Sequence, residues 1–437
     1  MSIRRLWRST PASAPLRGTL EVPGDKSITH RALMISALAE GRSVVTNANL
    51  GDDCRATAII LDGLGARIAV DEGNYQVEVE GEGIEGLREP EGILDALNSG
   101  TTMRTILGLC AGIEGLSVVT GDASLLRRPM LRVVAPLRQM GASIDGRRFG
   151  DRAPLCVRGG DLSGVDLELQ VASAQVKTAV LLAGLTASGP TSVIEPGPSR
   201  DHTERMLAAA GAKVRRGDNR VELEPVAALA PKIWDVPGDI SSAAFLVAAA
   251  AIVEDSDLTI TNVGLNPGRT GILDVMSRMG ADLDVTVAGE RFGEPFGDVR
   301  VRGSNLAGTT IEGPEIPTLI DELPLIAVLA SFAEGTTLIR NAEELRVKES
   351  DRIEVISGGL GELGADCEAL PDGMRIKGPS ALHGGEVDSH GDHRAAMSFA
   401  VAGLLTEAPV VVRGWSSVAT SFPEFLDLLG RAQGRYA

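Results

Sequence analysis

GLGARI (63–68), QMGASI (139–144), AAGAKV (209–214), RMGADL (278–283) and ELGADC (362–367) are variants of one pattern, with LLGRAQ (428–433) a degenerate sixth. In each, a glycine follows a helix-forming run and precedes a small residue and a short apolar stretch. Glycine just past a helix end supplies the left-handed cap that turns the chain into a strand. These glycines (Gly65, Gly141, Gly211, Gly280, Gly364 and Gly430) lie 76, 70, 69, 84 and 66 residues apart. A second landmark keeps the rhythm: RSVVTNA (42–48), LSVVTGD (116–122), TSVIEPG (191–197), LTITNVG (258–264), TTLIRNA (336–342) and PVVVRGW (409–415). Before each lies an Ala/Leu-rich helix starting near Ser27, Gly100, Ala174, Ser241, Asp321 or Asp392. Each unit therefore reads helix, strand, helix, Gly-Ala, strand. Such repeats bury their apolar faces against one another.

Six units in 437 residues divide into two domains of three at the Pro/Gly break Trp234-Asp235-Val236-Pro237-Gly238. The expected fold is α/β, with an N-terminal domain over 21–238 and a C-terminal domain over 239–437. The strand around Arg17–Val22 has no unit of its own, so residues 1–20 are expected to complete the C-terminal domain.

Hydrophobic residues make up 43% and charged residues 23%, which excludes a disordered chain. No apolar run reaches the roughly 18–20 residues of a membrane span. With 42 basic and 59 acidic side chains the formal charge is −17, and aromatic residues total 3%. That balance disfavours nucleic acid and other polyanions; a small anionic substrate requires a local concentration of Lys and Arg. The four cysteines (Cys54, Cys110, Cys156, Cys367) show no CxxC spacing, so neither a zinc site nor a disulfide framework is expected. MSIRRLWRST is basic with no apolar core after it, and a cytoplasmic protein is expected.

The leading helices begin with chemistry: GDKSITHR, NSGTTMR, ASAQVK, GDISSAA, LIDELP and GDHRAAM. Helix N-termini expose unpaired N–H groups and suit anions. Capping accounts for Ser241 and Asp25. It does not account for Lys26, Arg31, Arg104 and Arg394, cations placed where the helix dipole disfavours them. Ser27 and Arg31 share one helix face. Gly24-Asp25-Lys26-Ser27 lacks the GxxxxGK[ST] spacing of a nucleotide-binding loop. In LRVKESDR (345–352), Lys348 and Arg352 are four apart and share a side if a helix starts there, with Glu349 beside them. A carboxylate among cations can transfer protons. Asp321 is a second such carboxylate, with an N-cap as its alternative role. His390 and His393 lack a third spaced ligand, so no metal is expected.

Together these motifs resemble the 5-enolpyruvylshikimate-3-phosphate synthase family from about Gly18 to Leu429. They are GDKSITHRA (24–32), NSGTTMR (98–104), RRPM (127–130), SAQVK (173–177), RDHTE (200–204), GDISSAAF (238–245), LRVKESDR (345–352), GDHRAAM (391–397) and SFPEF (421–425). The resemblance implies the enolpyruvyl transferase fold, a two-domain inverse α/β barrel whose domains each hold three βαβαββ repeats. It implies transfer of the enolpyruvyl group of phosphoenolpyruvate to the 5-hydroxyl of shikimate 3-phosphate, without cofactor, through a tetrahedral intermediate that loses phosphate. By the same resemblance Lys26, Ser27, Arg31, Ser173, Ala174, Gln175, Ser199, Arg200, Asp321 and Lys348 bind shikimate 3-phosphate. Lys26, Gly100, Arg128, Gln175, Arg352 and Arg394 bind phosphoenolpyruvate, and Lys26, Asp321 and Glu349 are catalytic. Thr420 replaces a lysine common in the family. SAQVK and RDHTE resemble the branch less inhibited by glyphosate, whereas Gly100 retains the room an alanine methyl would take from that inhibitor; partial tolerance is the expectation. The related cell-wall enolpyruvyl transferases carry a reactive cysteine on the loop matching Gly121–Pro129, and GDASLLRRP has none. A monomer is sufficient for an internal cleft.

Overall fold

The structure is a computed structural model that describes residues 6–435. It divides into two compact units. The N-terminal unit holds Gly24–Val236 and Glu290–Glu294; the C-terminal unit holds the residues up to Pro23, Pro237–Gly289 and those from Pro295 onward. Each has its own hydrophobic core.

Among the described residues the strands form six sheets. One shows the recurring plan. Leu94–Asp95 pairs parallel with Gly115–Thr120, which pairs antiparallel with Arg152–Gly159, which pairs antiparallel with Ser143–Arg147. A helix joins the parallel strands and another leads into the hairpin, giving βαβαββ. Two sheets borrow their first strand from elsewhere in the chain. Ile233–Asp235 joins Glu40–Thr46, and Arg17–Glu21 joins Asp257–Gly264. The sixth sheet has three strands, with Leu6–Ser9 antiparallel to Val410–Arg413.

The leading helices are α1 (Lys26–Ala37), α2 (Gly100–Gly112), α3 (Ala174–Gly184), α4 (Ile240–Ile252), α5 (Leu323–Phe332) and α6 (His393–Ala402). They are buried over most of their length, and α4 and α5 are apolar almost throughout because they are buried on all sides; in α5 every residue from Leu323 to Ser331 is buried. In the C-terminal unit the three leading helices pack on one another; in the N-terminal unit α2 packs on α3 and also meets α1. The second helices, such as Gly271–Arg278, bury one face and expose the other.

Five Gly-Ala pairs close their helices in the same way. The glycine N–H donates to the carbonyl three residues back and the alanine N–H to the carbonyl five back, as in Gly65 to Asp62 and Ala66 to Leu61, both 3.0 Å. All five glycines have positive φ, from 94° to 112°. The sixth expectation fails by four residues. Gly430 lies inside the helix Phe425–Ala432, and Gly434 (φ 69°) is the cap, donating to Arg431 at 3.0 Å while Arg435 donates to Gly430 at 2.9 Å. The good helix formers after Gly430 carry the helix past it.

Three further local readings are corrected. Asp239, not Ser241, caps α4, accepting from the Ser241 N–H at 2.9 Å. Lys348 and Arg352 do not share a helix face: Lys348 ends a 3-10 turn, and the helix begins at Arg352 behind the capping Asp351. Nor does Asp321 cap α5, whose N-cap position is Glu322.

Candidate active site

The predicted residues form two clusters, one in each unit. In the N-terminal unit, α1 starts at Lys26 because Asp25 caps it, accepting from Ile28 N at 2.9 Å. Lys26 Nζ pairs with Asp53 Oδ2 at 2.8 Å. One turn on, the buried Arg31 donates to Ser27 O (2.8 Å), Thr178 Oγ1 (2.9 Å) and Thr203 Oγ1 (2.7 Å). These tie α1 to α3 and to the RDHTE segment. Burial brings the Arg31 pKa down to about 10, although Glu204 opposes this and Arg200 adds to it.

Ser99 caps α2, accepting from Thr102 N at 3.1 Å. Arg104 Nη1 donates to Gln175 Oε1 at 2.7 Å, and Gln175 Nε2 donates to Thr101 Oγ1 at 3.0 Å. Arg128 is buried at the end of a 3-10 turn and donates to Asn98 Oδ1 at 3.3 Å. Gly100 lies between these arginines: a Cβ there would meet Arg128 Nη1 at 2.7 Å and Arg104 Nη1 at 3.0 Å. Ser173 caps α3, accepting from Val176 N at 3.5 Å, and Ala174 is the first helical residue. Ser199 and Arg200 are half-buried just before the helix His202–Ala209, and Ser199 Oγ has no hydrogen-bond partner among the described residues. Lys177 of SAQVK is buried between Glu195 (2.6 Å) and Glu204 (2.7 Å).

In the C-terminal unit one guanidinium organises the cluster. Arg352, almost fully buried, donates from Nε to Asp392 Oδ2 (2.7 Å), from Nη2 to Glu349 Oε2 (2.6 Å) and from Nη1 to Asp321 Oδ1 (3.2 Å). Burial works against its charge, but Asp392, Glu349 and Asp321 outweigh burial and raise its pKa. Lys348 Nζ lies 3.6 Å from the same Asp321 oxygen. Asp392 also caps α6, accepting from Arg394 N at 2.9 Å. Arg394 Nη1 donates to Glu322 Oε1 at 3.2 Å. Thr420 spends its hydroxyl locally, on Ser417 O at 2.7 Å.

Thus Asp321, Lys348, Glu349 and Arg352 form one connected group; in the other unit Gln175 is bonded to Arg104, and Gly100 lies between Arg104 and Arg128. Ser173 and Lys26 engage partners outside these groups. The sequence reading missed the anchoring carboxylates Asp53, Asp392 and Glu322. Asp392 was visible only as a residue at a helix start.

Residues 11–429 match the family described as EPSP synthase (3-phosphoshikimate 1-carboxyvinyltransferase). The 3-phosphoshikimate 1-carboxyvinyltransferases of Desulforudis audaxviator and Pelotomaculum thermopropionicum are each 52% identical over 420 residues, covering 96% of this chain and 97% of theirs. The EPSP synthase structure from Acinetobacter baumannii superposes with a TM-score of 0.87 at 44% identity, covering 98% of both chains. The enolpyruvyl transferase NikO from Streptomyces tendae, at 17% identity and TM-score 0.79 over 98% of this chain and 97% of that one, shares the fold.

Proposed function

The chain belongs to the EPSP synthase family, and from that premise we propose how its residues carry out the family's reaction. Its activity is that of a 3-phosphoshikimate 1-carboxyvinyltransferase in the shikimate pathway of aromatic amino acid biosynthesis. Membership implies phosphoenolpyruvate and shikimate 3-phosphate as substrates. No helix among the described residues is long and apolar enough to cross a membrane.

In our reading Ser27, Arg31, Ser173, Ala174, Gln175, Ser199, Arg200 and Lys348 hold shikimate 3-phosphate. Lys26, Arg128, Arg352 and Arg394, with Gln175 and the backbone at Gly100, hold phosphoenolpyruvate. Arginine suits this task because it grips carboxylate and phosphate with paired donors. Asp321 takes the proton of the 5-hydroxyl as its oxygen attacks C2 of phosphoenolpyruvate. Glu349, with Lys26, delivers a proton to C3. The tetrahedral adduct then returns a C3 proton and expels phosphate, leaving the enolpyruvyl ether. Cations beside the departing phosphate stabilise the charge that develops there. We further infer a cytoplasmic enzyme that works as a single chain, testable by sedimentation and fractionation.

One observation carries this reading. A single buried guanidinium, Arg352, touches both proposed proton-transfer carboxylates, at 3.2 Å (Asp321) and 2.6 Å (Glu349). The test is Asp321→Asn and Glu349→Gln in steady-state kinetics. Each is expected to lower kcat by roughly 10²–10⁴-fold with modest change in either KM. Wild-type turnover in either variant removes that residue from the mechanism.

A further inference from the structure

Behind Arg394 lies a chain of buried polar groups that the proposed reaction does not use. Arg269 Nη2 donates to Ser241 Oγ, and the Ser241 hydroxyl donates to Glu322 Oε1. Arg394 Nη1 donates to that same oxygen at 3.2 Å. Asp239, the α4 cap, lies 3.5 Å from Arg269 Nη2. The side chains of Arg269, Asp239, Glu322 and Arg394 are 3%, 5%, 1% and 8% exposed.

The chemistry gives this chain a direction. A hydroxyl has one proton to donate. Because Arg269 can only donate to Ser241 Oγ, the serine proton is left for Glu322. Glu322 Oε1 then receives two donors, Ser241 and Arg394. The two cations and two carboxylates balance, so the group is buried without net charge. The Phe245 ring, its centroid 6.0 Å from the Arg394 guanidinium carbon, limits the side chain's freedom further.

We propose that Glu322, backed by Ser241 and Arg269, is a positioning residue that fixes the Arg394 guanidinium for phosphoenolpyruvate. This rests on the assignment of Arg394 to the phosphoenolpyruvate clamp. A two-pronged grip on a carboxylate or phosphate tolerates little misorientation, so a loosened Arg394 weakens that substrate and spares the other.

The experiment measures both KM values, kcat and the melting temperature for Glu322→Gln, Ser241→Ala, Arg394→Lys and the double variant Glu322→Gln/Arg394→Lys. Glu322→Gln is expected to raise KM for phosphoenolpyruvate about tenfold and Ser241→Ala about threefold, with KM for shikimate 3-phosphate unchanged. In the Arg394→Lys background Glu322→Gln adds nothing further. If Glu322→Gln does not fold, Ser241→Ala carries the test from the other side. The inference is overturned if Arg394→Lys raises KM for phosphoenolpyruvate while Glu322→Gln and Ser241→Ala leave it alone. It is equally overturned if both KM values rise together with a lowered melting temperature, which marks a purely structural role. If Arg394→Lys itself leaves that KM unchanged, the clamp assignment has failed, and the inference falls with it.

Discussion

Arg31 and Arg352 are both buried, and both belong to motifs at the start of a helix, yet their partners differ in kind. Arg31 donates to two threonine hydroxyls and a backbone carbonyl. Arg352 donates to three carboxylates. Their neighbours follow suit: Arg104 and Arg128 meet the amides of Gln175 and Asn98, whereas Arg394 and Lys348 meet Glu322 and Asp321. Lys26, paired with Asp53, and Lys177, between Glu195 and Glu204, are exceptions in the N-terminal cluster. Neutral acceptors orient a guanidinium without cancelling its charge, so the N-terminal cluster presents a positive field suited to a multiply charged anion. Carboxylate partners cancel the charge and in exchange place proton acceptors beside the cations, as proton transfer requires. The pKa values move accordingly, down to about 10 for Arg31 and upward for Arg352.

The sharpest way to break this contrast is to remove each arginine in turn. Arg352→Met leaves Asp392, Glu349 and Asp321 facing one another in a buried site. Stranding charges in that way costs about 3–5 kcal/mol, and the loss should appear as a large fall in the denaturant midpoint. Arg31→Met removes hydrogen bonds to neutral groups and should cost about 1–3 kcal/mol. Equal losses in the two variants would mean that partner charge does not distinguish the clusters.

The contrast was not legible in the sequence, although much of the fold was. A left-handed helix cap needs glycine, so five of the six unit boundaries could be read from Gly65, Gly141, Gly211, Gly280 and Gly364. The sixth was misplaced because Gly430 resembles a cap in composition and only the hydrogen bonds show that Gly434 fills that position. The cations at helix starts were equally visible, because each sits where the dipole argues against it. Their partners were not. Asp53 lies 27 residues from Lys26, Asp392 lies 40 from Arg352, and Glu322 lies 72 from Arg394. Which carboxylate meets which cation is decided by how the leading helices pack, and no local pattern encodes that. Ser241 shows the same limit: it resembles a cap, but Asp239 takes that role and the serine hydroxyl turns to Glu322.

A smaller effect sharpens the picture of the neutral-partner cluster. An alanine methyl at Gly100 would lie 2.7 Å from Arg128 Nη1 and 3.0 Å from Arg104 Nη1. Both are the ends of flexible side chains, which donate to the amide oxygens of Gln175 and Asn98. They can therefore swing aside, and Gly100→Ala should fold with a melting temperature close to that of the parent. The displaced Arg128 should raise KM for phosphoenolpyruvate by about tenfold, with KM for shikimate 3-phosphate changed far less. A substantial loss of stability instead would show that these arginines are as firmly fixed as Arg352.

The positive field of the N-terminal cluster also acts on His30, which lies between Lys26 and Arg31 in the chain. His30 is fully buried and its Nδ1 lies 2.7 Å from Thr57 Oγ1. Burial first, then the charges of Lys26 and Arg31, hold its pKa well below 6.5, with only Asp25 opposing. The imidazole is thus neutral in the folded protein. On acidification below about pH 6.5 the unfolded chain binds a proton at this residue that the folded chain does not, so stability rises with pH across that window and falls as pH drops. The slope reaches about 1.4 kcal/mol per pH unit until the folded-state pKa is met. Other histidines and carboxylates titrate in the same range, so the measurement is a difference: denaturant midpoints of the parent and of His30→Gln at pH 7.5 and 5.5. The variant should lose less stability on acidification than the parent. Equal losses would place a charged imidazole beside Lys26 and Arg31, and a cluster that tolerates that added cation could not be exerting the field that sets it apart from the Arg352 cluster.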